Sequence, residues 1–390
     1  MWPNRLSVLV ATGLLAIGVA GPPPAAADRA AAAVEAAGVG SPVTVVSPGC
    51  RYEQASADAV ASANTSVENH RGFVSFGGGD CPEAIFRGRV WYFSGARSTW
   101  SRQRTPYVGH VMAVADDSTG AYVLFAGRTG IFVGKRTVAG SFIAPIRLSP
   151  VGLGGAVVPQ GDIVALAGGY WAVWSEQVGP GGEFAQTELF QAKTIGAGDC
   201  IDPLRRQRIT SHPRDDSDPS IALVPATAGR SGARLTWSRN DSARGESGWI
   251  MFSRAACDAR WSTDQILAQA GNNLDPDLAR VGSTDYLAWS RDSRVVEAEI
   301  SPTTYRAIGF AEPSAFSTHI NASGSVVFIL FSSGERLGSF ERRDGVWRQR
   351  WLTAAGLRQQ AVAVTKFRGA FTAFGISFST FRLYAITVTD

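Results

Sequence analysis

Short hydrophobic runs, each followed by a tight polar turn and a second hydrophobic run, recur along most of this chain. The segments Asp162–Ser175 and Asp277–Ser290 align without a gap, and both end in Trp-Ser. Asp218–Arg239 repeats the pattern with a longer turn. Such alternation predicts β-hairpins. Two further units match the second strand of the hairpin, at Ala121–Phe125 and Val327–Ser332, and we place their first strands roughly at His110–Val114 and His319–Ala322.

A third strand follows each hairpin, and an aromatic residue introduces a fourth. The clearest pairs are Ile250–Ser253 with Trp261–Leu267, Ile131–Gly134 with Phe142–Ser149, and Leu337–Phe340 with Trp347–Leu352. Four short antiparallel strands in a unit of about 40 to 60 residues are typical of a β-propeller blade. We therefore predict an all-β fold, a β-propeller, in which these aromatic residues pack between blades.

The number of repeats predicts the number of blades. Five units begin near residues 108, 153, 211, 271 and 315, a degenerate unit occupies 70 to 107, and a last unit, 357 to 390, offers three strands. A propeller whose terminal blades do not pair leaves strand edges exposed. We expect the strand-like run Val43–Val46 to supply the missing outer strand, which gives seven blades. Six blades is the alternative if the degenerate unit is not a complete blade.

The first 27 residues have the pattern of a signal peptide. A short basic start is followed by the apolar run Leu6–Ala20, a Gly-Pro-rich break and three alanines. The apolar run is shorter than the roughly 20 residues that a membrane-spanning helix needs. We predict cleavage before Asp28, an Ala/Ser-rich leader over 28–69 with a closing strand near 42–47, and a propeller domain over 70–390. The mature protein is expected to be secreted and soluble.

The charge balance does not favour a polyanionic partner. The formal net charge is +4, and the one dense basic run, Arg205–Arg208, lies near Asp215 and Asp216. We interpret this run as a solvated loop whose charge neighbouring residues compensate. Neither nucleic acid nor, after cleavage of the signal peptide, a membrane is expected as a partner, and the protein is expected to be a monomer.

Four cysteines in an exported chain predict two disulfides. They lie at Cys50, Cys81, Cys200 and Cys257, and no CxxC pair occurs. Of the three possible connectivities we favour the local one, Cys50 with Cys81 and Cys200 with Cys257. The other two remain open.

The turns between third and fourth strands resemble the Asp-box, or bacterial neuraminidase repeat, of sialidase-like propellers, whose motif is S-x-D-x-G-x-x-W. The closest matches are Ser253–Trp261 and Ser339–Trp347, and neither has the full spacing. In that family the box is a turn placed away from the active site. The resemblance implies a sialidase-like propeller architecture over about residues 70 to 390.

Sialidase chemistry, as the resemblance implies it, needs an arginine triad, a Tyr nucleophile paired with a Glu, an acid/base Asp and an early R-I-P motif. The nearest string is Arg104-Thr105-Pro106, which falls on a fourth strand instead of a first. No catalytic residue of the family can therefore be assigned to a position in this sequence.

The start of each innermost strand should lie at the mouth of the central channel, so the repeat alignment predicts which side chains meet there. Asp162 and Asp277 share one position. Asp218 and Asp275 share another, two residues earlier than the Asp277 position, and each precedes a proline. His110 and His319 lie at roughly comparable places. Convergent carboxyl and imidazole groups suit metal binding or general acid/base chemistry, and we predict that these residues line a ligand-binding mouth. The alternative is that each Asp caps a turn.

Two functional hypotheses follow. The first is an exported propeller that binds an extracellular ligand or partner, for example a carbohydrate, at this mouth without turning it over. The second is a divergent sialidase-like glycoside hydrolase that uses the carboxylates of the mouth. The sequence has no nucleophile elbow, no phosphate loop and no metal-spaced Cys/His set, so we expect no cofactor and no metal site. Whether the protein is an enzyme stays open at this point.

Overall fold

Alternating patterns of the kind described above form strands through almost all of the part of the chain that can be described. The computed structural model describes residues 39–48, 50, 54–61, 69–77, 87–149, 159–178, 186–194, 203–227, 230–241, 246–269, 271–292, 294–300, 305–309, 315–323, 325–334, 336–354, 359–367, 370–377, 379–380 and 382–389.

The strands of these residues are, in chain order, β1 (Val43–Val46), β2 (Gln54–Ala61), β3 (His70–Gly77), β4 (Arg89–Ala96), β5 (Thr99–Val108), β6 (His110–Asp117), β7 (Gly120–Gly127), β8 (Gly130–Thr137), β9 (Phe142–Arg147), β10 (Gly161–Leu166), β11 (Gly169–Val178), β12 (Gln186–Lys193), β13 (Leu204–Arg208), β14 (Asp215–Thr227), β15 (Arg230–Asp241), β16 (Glu246–Ala255), β17 (Gln265–Ala268), β18 (Asn273–Val281), β19 (Thr284–Arg291), β20 (Arg294–Ile300), β21 (Tyr305–Gly309), β22 (Phe316–Ser323), β23 (Val326–Ser332), β24 (Leu337–Arg343), β25 (Val346–Trp351), β26 (Gln359–Phe367), β27 (Ala370–Ser377) and β28 (Arg382–Val388).

These strands form seven antiparallel sheets of four strands each, within the described ranges. Six sheets take four consecutive strands, β2–β5, β6–β9, β10–β13, β14–β17, β18–β21 and β22–β25. The seventh has the order β1-β28-β27-β26, in which Val43 of β1 is paired with Ala385 of β28. The predictions of an all-β propeller and of seven blades are therefore confirmed. We number the blades in chain order, so that β26–β28 belong to blade 7.

The innermost strands of blades 2 to 7 begin within a few residues of the predicted unit starts, except in blade 3, which begins at Gly161. The first blade differs more from its predicted bounds. Its innermost strand, β2, lies inside the segment 28–69 that we predicted to be a leader. The sequence pattern does not predict this strand because its buried face consists of Ala55, Ala57 and Ala59. Alanine has little strand preference, but its small side chain fits where inner strands of neighbouring blades converge.

The hydrophobic core lies between blades. Seven clusters of buried side chains occur among the described residues, and each joins two neighbouring blades, including blades 7 and 1. The aromatic residues that introduce fourth strands belong to these clusters, as predicted. The ring centroids of Trp261 and Trp171 of the preceding blade are 5.5 Å apart, and those of Phe142 and Tyr107 are 5.8 Å apart.

The repeated Trp-Ser pair has a structural cause. Trp174, Trp237 and Trp289 are fully buried, and each indole N–H needs an acceptor. The acceptor differs from blade to blade: Trp174 donates to Glu176 at 3.1 Å, Trp237 to Asp216 at 2.9 Å and Trp289 to Asn273 at 2.9 Å. The tryptophan therefore recurs at one position of the repeat, and a different side chain accepts its indole N–H in each blade.

The basic run Arg205–Arg208 is not the loop that we predicted. It forms most of β13, the outermost strand of blade 3. Its charge is compensated by glutamates of the same blade, since Arg206 pairs with Glu176 at 2.6 Å and Arg208 pairs with Glu188 at 2.7 Å. The alternation of a strand places these two arginines on the same face, where the glutamates lie.

Two predictions concern residues that cannot be fully described. The signal peptide 1–27 lies outside the described residues, as do Cys81 and Cys200. Cys50 and Cys257 are described, and no cysteine in that part of the chain is free. The pairing scheme stays a prediction. A search of the described residues finds no helix with the length and apolar character to cross a membrane.

Candidate functional site

Polar side chains occupy one equivalent position on the innermost strands of five blades, and they bind the backbone of the next blade. We call Asp58, Asp162, Ser220, Asp277 and His319 the ring residues. Their contacts to the following blade are Asp58 Oδ2 to Val114 N at 2.6 Å, Asp162 Oδ2 to Ile221 N at 2.7 Å, Ser220 Oγ to Leu278 N at 3.2 Å, Asp277 Oδ2 to Ile320 N at 2.9 Å, and His319 Nε2 to Ala361 O at 3.3 Å.

The three ring aspartates share a second contact as well. Oδ1 of each accepts the N–H of the residue that follows it, at 2.7 to 2.8 Å. Each carboxyl group therefore accepts one N–H from its own strand and one from the neighbouring blade. This is the capping role that we kept as the alternative, extended across the interface between blades. It ties consecutive inner strands together around the channel.

Ser220 links two ring aspartates. Its hydroxyl oxygen lies 3.1 Å from Oδ2 of Asp162 and 2.9 Å from Oδ1 of Asp277. A hydroxyl group has one proton, so it can donate to one of these carboxyl groups. The other contact is favourable when that second carboxyl group carries its own proton. Burial and the charge of Asp277 favour a protonated Asp162, because they raise its pKa to about 7.

Asp58 has the same electrostatic character. Burial raises its pKa to about 7 even though the N–H groups of Val114 and Ala59 favour the charged form. The ring also contains one base, because Nδ1 of His319 lies 3.7 Å from Oδ2 of Asp277. Burial alone would lower the pKa of His319, but the hydrogen bond and charge of Asp277 and the charge of Asp58 raise it above its ordinary value.

Three further residues lie nearer the strand starts, and we call Asp218, Asp275 and Ser317 the rim residues. They belong to blades 4, 5 and 6, and all three have left-handed backbone, with φ of 50°, 51° and 47°. At each of them the pairing of the innermost strand shifts, which marks a β-bulge. Asp tolerates this conformation better than most residues. Non-glycine residues held in it cluster at functional sites.

The two rim aspartates influence each other. Burial, and then the charge of Asp275, raise the pKa of Asp218 to about 7, and burial also raises the pKa of Asp275. Both hold fewer backbone N–H groups than the ring aspartates do. Oδ2 of Asp218 accepts the hydroxyl of Ser217 at 2.9 Å, and Oδ2 of Asp275 accepts the N–H of Ser317 at 3.4 Å. The rim aspartates are therefore tied to the backbone less than the ring aspartates are.

The structure separates the two histidines that the alignment put at comparable places. His319 is a ring residue, whereas His110 is the first residue of β6 and its Nδ1 lies 3.2 Å from the hydroxyl of Ser56. The backbone N–H that Asp58 contacts is that of Val114, so the ring position of β6 is Ala113, three residues after His110. Burial lowers the pKa of His110 to about 4, so it is a neutral hydrogen-bonding partner.

Two ring residues, Asp58 and Ser220, were missed by sequence reasoning. Asp58 could have been found, because Asp58-Ala-Val-Ala matches Asp162-Ile-Val-Ala in all positions but one. Ser220 follows Pro219 as Asp277 follows Pro276, so the alignment already placed it. We overlooked it because a serine does not titrate. In the described residues, no group of three or more His, Cys, Asp or Glu side chains could hold a metal ion.

Comparison with known proteins supports the fold. No protein-family model and no curated protein matches the sequence. The structure is similar to that of phage phi92 endosialidase, with a TM-score of 0.53 and 10% identity over 90% of this chain and 69% of that chain.

Lower scores relate it to other propellers. The GH93 α-L-arabinofuranosidase of Fusarium graminearum has a TM-score of 0.49 and 11% identity, over 90% of this chain and 98% of that chain. Trypanosoma rangeli sialidase has a TM-score of 0.43 and 10% identity, over 89% of this chain and 57% of that chain. In fold, the chain is a seven-bladed β-propeller that is similar to phage phi92 endosialidase.

Proposed function

We propose that the rim binds a neutral, hydroxyl-rich ligand, a glycan, and that the protein holds this ligand without turning it over. The observation that carries the proposal is the pair of rim aspartates, Asp218 and Asp275. They lie on adjacent blades in left-handed backbone, and they accept fewer backbone N–H groups than the ring aspartates do. Near neutral pH, one carboxyl group with a pKa of about 7 beside a second carboxylate offers both a donor and an acceptor. Sugar hydroxyl groups need both.

Charge argues for a neutral glycan over an acidic one. The rim and the ring together contribute five aspartates around the channel, Asp58, Asp162, Asp218, Asp275 and Asp277. A ligand that carries a carboxylate would be repelled by those of these groups that are ionised, although burial raises the pKa of three of them, Asp58, Asp162 and Asp218, to about 7. The similar propeller of known structure is an endosialidase, so this architecture serves a glycan-directed protein elsewhere. The acidic rim, however, favours a ligand of different charge from a sialic acid.

The contacts of the ring support a role without turnover. Each ring aspartate accepts two backbone N–H groups, which hold its oxygens in place and occupy them. A nucleophile or a mobile acid/base needs an oxygen free to face the substrate. Hydrolysis remains the second candidate because of the rim alone. Two carboxyl groups that influence each other's pKa are the usual equipment of a glycosidase.

Replacing both rim aspartates by asparagine should weaken glycan binding at least about tenfold, because loss of the charge-assisted bonds is worth over about 1.4 kcal/mol. The melting temperature should stay nearly the same, since asparagine also tolerates left-handed backbone. We would identify the ligand on an array of neutral and sialylated oligosaccharides. Titration calorimetry would then compare wild type with Asp218→Asn/Asp275→Asn.

The matched control is Asp277→Asn in the ring. This change leaves one backbone N–H and the imidazole of His319 with a poorer partner, so it should lower the melting temperature, at a cost of about 1 kcal/mol. Affinity for the glycan should be kept. The proposal fails if the rim variant binds as well as wild type, or if only sialylated glycans are bound. Release of reducing sugar from the bound glycan by wild type, and not by the rim variant, would favour hydrolysis instead.

We further propose that the chain is exported, that residues 1–27 are removed as a signal peptide, and that Cys50 with Cys81 and Cys200 with Cys257 form disulfides in the mature protein. The basic, apolar and small-residue regions of the N-terminus support export. Peptide mapping of the secreted protein without reduction should give these two linked pairs and an N-terminus at Asp28. A Cys50–Cys200 linkage would refute the local pairing.

A further inference from the structure

A cleft opens between the outer parts of blades 1 and 2, away from the channel. Its volume is about 280 Å³. Aromatic rings line it, namely those of Tyr107, Phe125 and Phe132. Tyr107 stacks on Phe125 with 5.4 Å between ring centroids, and Phe125 stacks on Phe132 with 5.5 Å between ring centroids. The cleft is slightly smaller than pockets that enclose drug-sized molecules, so it suits protruding side chains better than a whole small molecule.

The wall of this cleft is largely apolar, although it contains the hydroxyl-bearing residue Tyr107. The hydroxyl of Tyr107 lies 2.8 Å from the carbonyl oxygen of Lys135 and 2.7 Å from that of Ile143, and it accepts the N–H of Lys135 at 2.9 Å. These contacts use the hydrogen-bonding capacity of the hydroxyl. Tyr107 is 2% exposed, so it contributes only a small part of its ring to the wall. A sugar, which needs polar partners, would find few in this wall.

The apolar surface continues outside the cleft onto β9. This strand is the outermost of blade 2, so its outer edge is not paired within the blade. Ile143 and Ile146 of β9 are 46% and 53% exposed, and Val108 at the end of β5 is 48% exposed. Proteins usually protect such edges with charged residues or proline, and in β9 these are Arg147 and Pro145, near its end. The residues before Pro145 leave an apolar edge beside the cleft, to which an extended peptide can add as a further strand.

The surroundings of the cleft are strongly basic. From Arg87 to Arg147 the sequence contains nine Lys or Arg residues and two Asp. Both aspartates are engaged away from the cleft, since Asp116 pairs with Arg71 at 3.2 Å and Asp117 accepts the N–H of Thr119 at 2.7 Å. Arg87 and Arg128 are exposed and line the cleft itself. A ligand would meet two guanidinium groups beside an apolar wall.

We propose that this surface binds an extended segment of a partner protein in which an apolar side chain is flanked by acidic residues. The apolar side chain fills the cleft against Phe125 and Phe132. The acidic residues on either side pair with Arg87 and Arg128. The backbone of the segment runs along the free edge of β9. This site is separate from the rim and does not depend on the glycan proposal.

The charge and shape of this surface favour an acidic peptide segment over two other partners, a second copy of the chain and an anionic membrane. A second copy of the chain would bring the same basic surface against itself, which repulsion opposes. An anionic bilayer would attract the arginines, but its flat surface would not reach the rings of Tyr107 and Phe125, which are each 2% exposed at the cleft floor. A projecting side chain on a strand reaches them.

The test uses fluorescently labelled decapeptides with a central phenylalanine flanked by glutamates, and matched peptides with lysines in place of the glutamates. Fluorescence anisotropy with the purified protein should show at least about tenfold tighter binding of the acidic peptide. Affinity should fall when the salt concentration is raised from about 0.05 to 0.5 M, because salt screens exposed charges. Replacing the phenylalanine by alanine should also weaken binding by about tenfold.

Arg87→Glu/Arg128→Glu should abolish the preference for the acidic peptide. The control Arg260→Glu/Arg348→Glu makes the same change of charge at exposed positions on blades 4 and 6 and should leave the affinity unchanged. Equal affinity of the two charge-reversal variants would overturn the proposal, as would failure of the acidic peptide to bind better than the lysine peptide. Co-sedimentation with phosphatidylserine vesicles that depends on Arg87 and Arg128, without peptide binding, would assign the surface to a membrane instead.

Discussion

Replacing Asp216 by alanine should lower the free energy of unfolding by about 3–5 kcal/mol. Asp216 is fully buried and accepts three hydrogen bonds, from Trp237 Nε1 at 2.9 Å and from Arg239 Nε and Nη2 at 2.7 and 3.1 Å. Burial alone would lower the pKa of Arg239, but Asp216 and Asp264 raise it. The alanine variant would leave a buried guanidinium group and a buried indole N–H without this carboxylate. Denaturant unfolding followed by tryptophan fluorescence would measure the loss.

The protein supplies the matched control for this substitution. In blade 5 the equivalent acceptor is Asn273, which accepts Trp289 Nε1 at 2.9 Å and Arg291 Nε at 3.1 Å. Asp216→Asn should therefore keep the bond to the indole and lose less stability than the alanine variant, by at least about 1 kcal/mol. If the two variants are equally destabilised, the cost comes from removing charge and not from losing an acceptor.

The stability of the ring should depend on pH through Asp58 and Asp162. Burial raises both pKa values to about 7 from an ordinary value of 3.8. Between about pH 4 and pH 7 the folded protein then keeps protons that the unfolded chain has released, so these groups make stability fall as the pH rises. Asp58→Asn/Asp162→Asn cannot lose those protons. The difference in melting temperature between this variant and wild type should therefore increase in favour of the variant, by about 3–6 °C from pH 4.5 to pH 8.

Comparison with wild type at each pH is essential because other groups act in the opposite direction. Burial lowers the pKa of His110 to about 4, which makes stability fall as the pH drops below about 6.5. This contribution is common to both proteins and cancels in the difference. The control Asp258→Asn/Asp344→Asn makes the same change at two turn positions outside the ring and gives the reference difference. A difference for the ring variant that does not change with pH would mean that Asp58 and Asp162 do not keep their protons in the folded protein.

The architecture could be predicted because its signals are local. A strand, a tight turn and a second strand that ends in Trp-Ser occupy about a dozen residues, and the aligned segments at Asp162 and Asp277 repeat them closely. Where the local signal is weak, the prediction was wrong. In β2 the buried positions are alanines, which do not favour a strand by themselves. What fixes β2 as a strand is its pairing with β3 and its packing on blade 7.

The site was harder to predict because its contacts join residues far apart in the sequence. The alignment brought Asp162 and Asp277 to one position, but it could not show that each binds the backbone of the next blade, to Ile221 and Ile320. Nor could it show that a serine connects them. The separation of ring from rim depends on bulges, each of which shifts the strand by one residue. Asp-Pro at 218 and 275 was the available sign of those bulges.

Because every hydrophobic cluster is shared by two neighbouring blades, a blade that has just been synthesised has nothing to bury its exposed face against. It must wait for the next blade of about 50 residues, and at a synthesis rate of roughly 5–20 residues per second that wait lasts several seconds. During this time the leading face presents apolar side chains and an unpaired strand edge. The growing chain therefore depends on binding by chaperones, or on slow collapse, until the last interface forms.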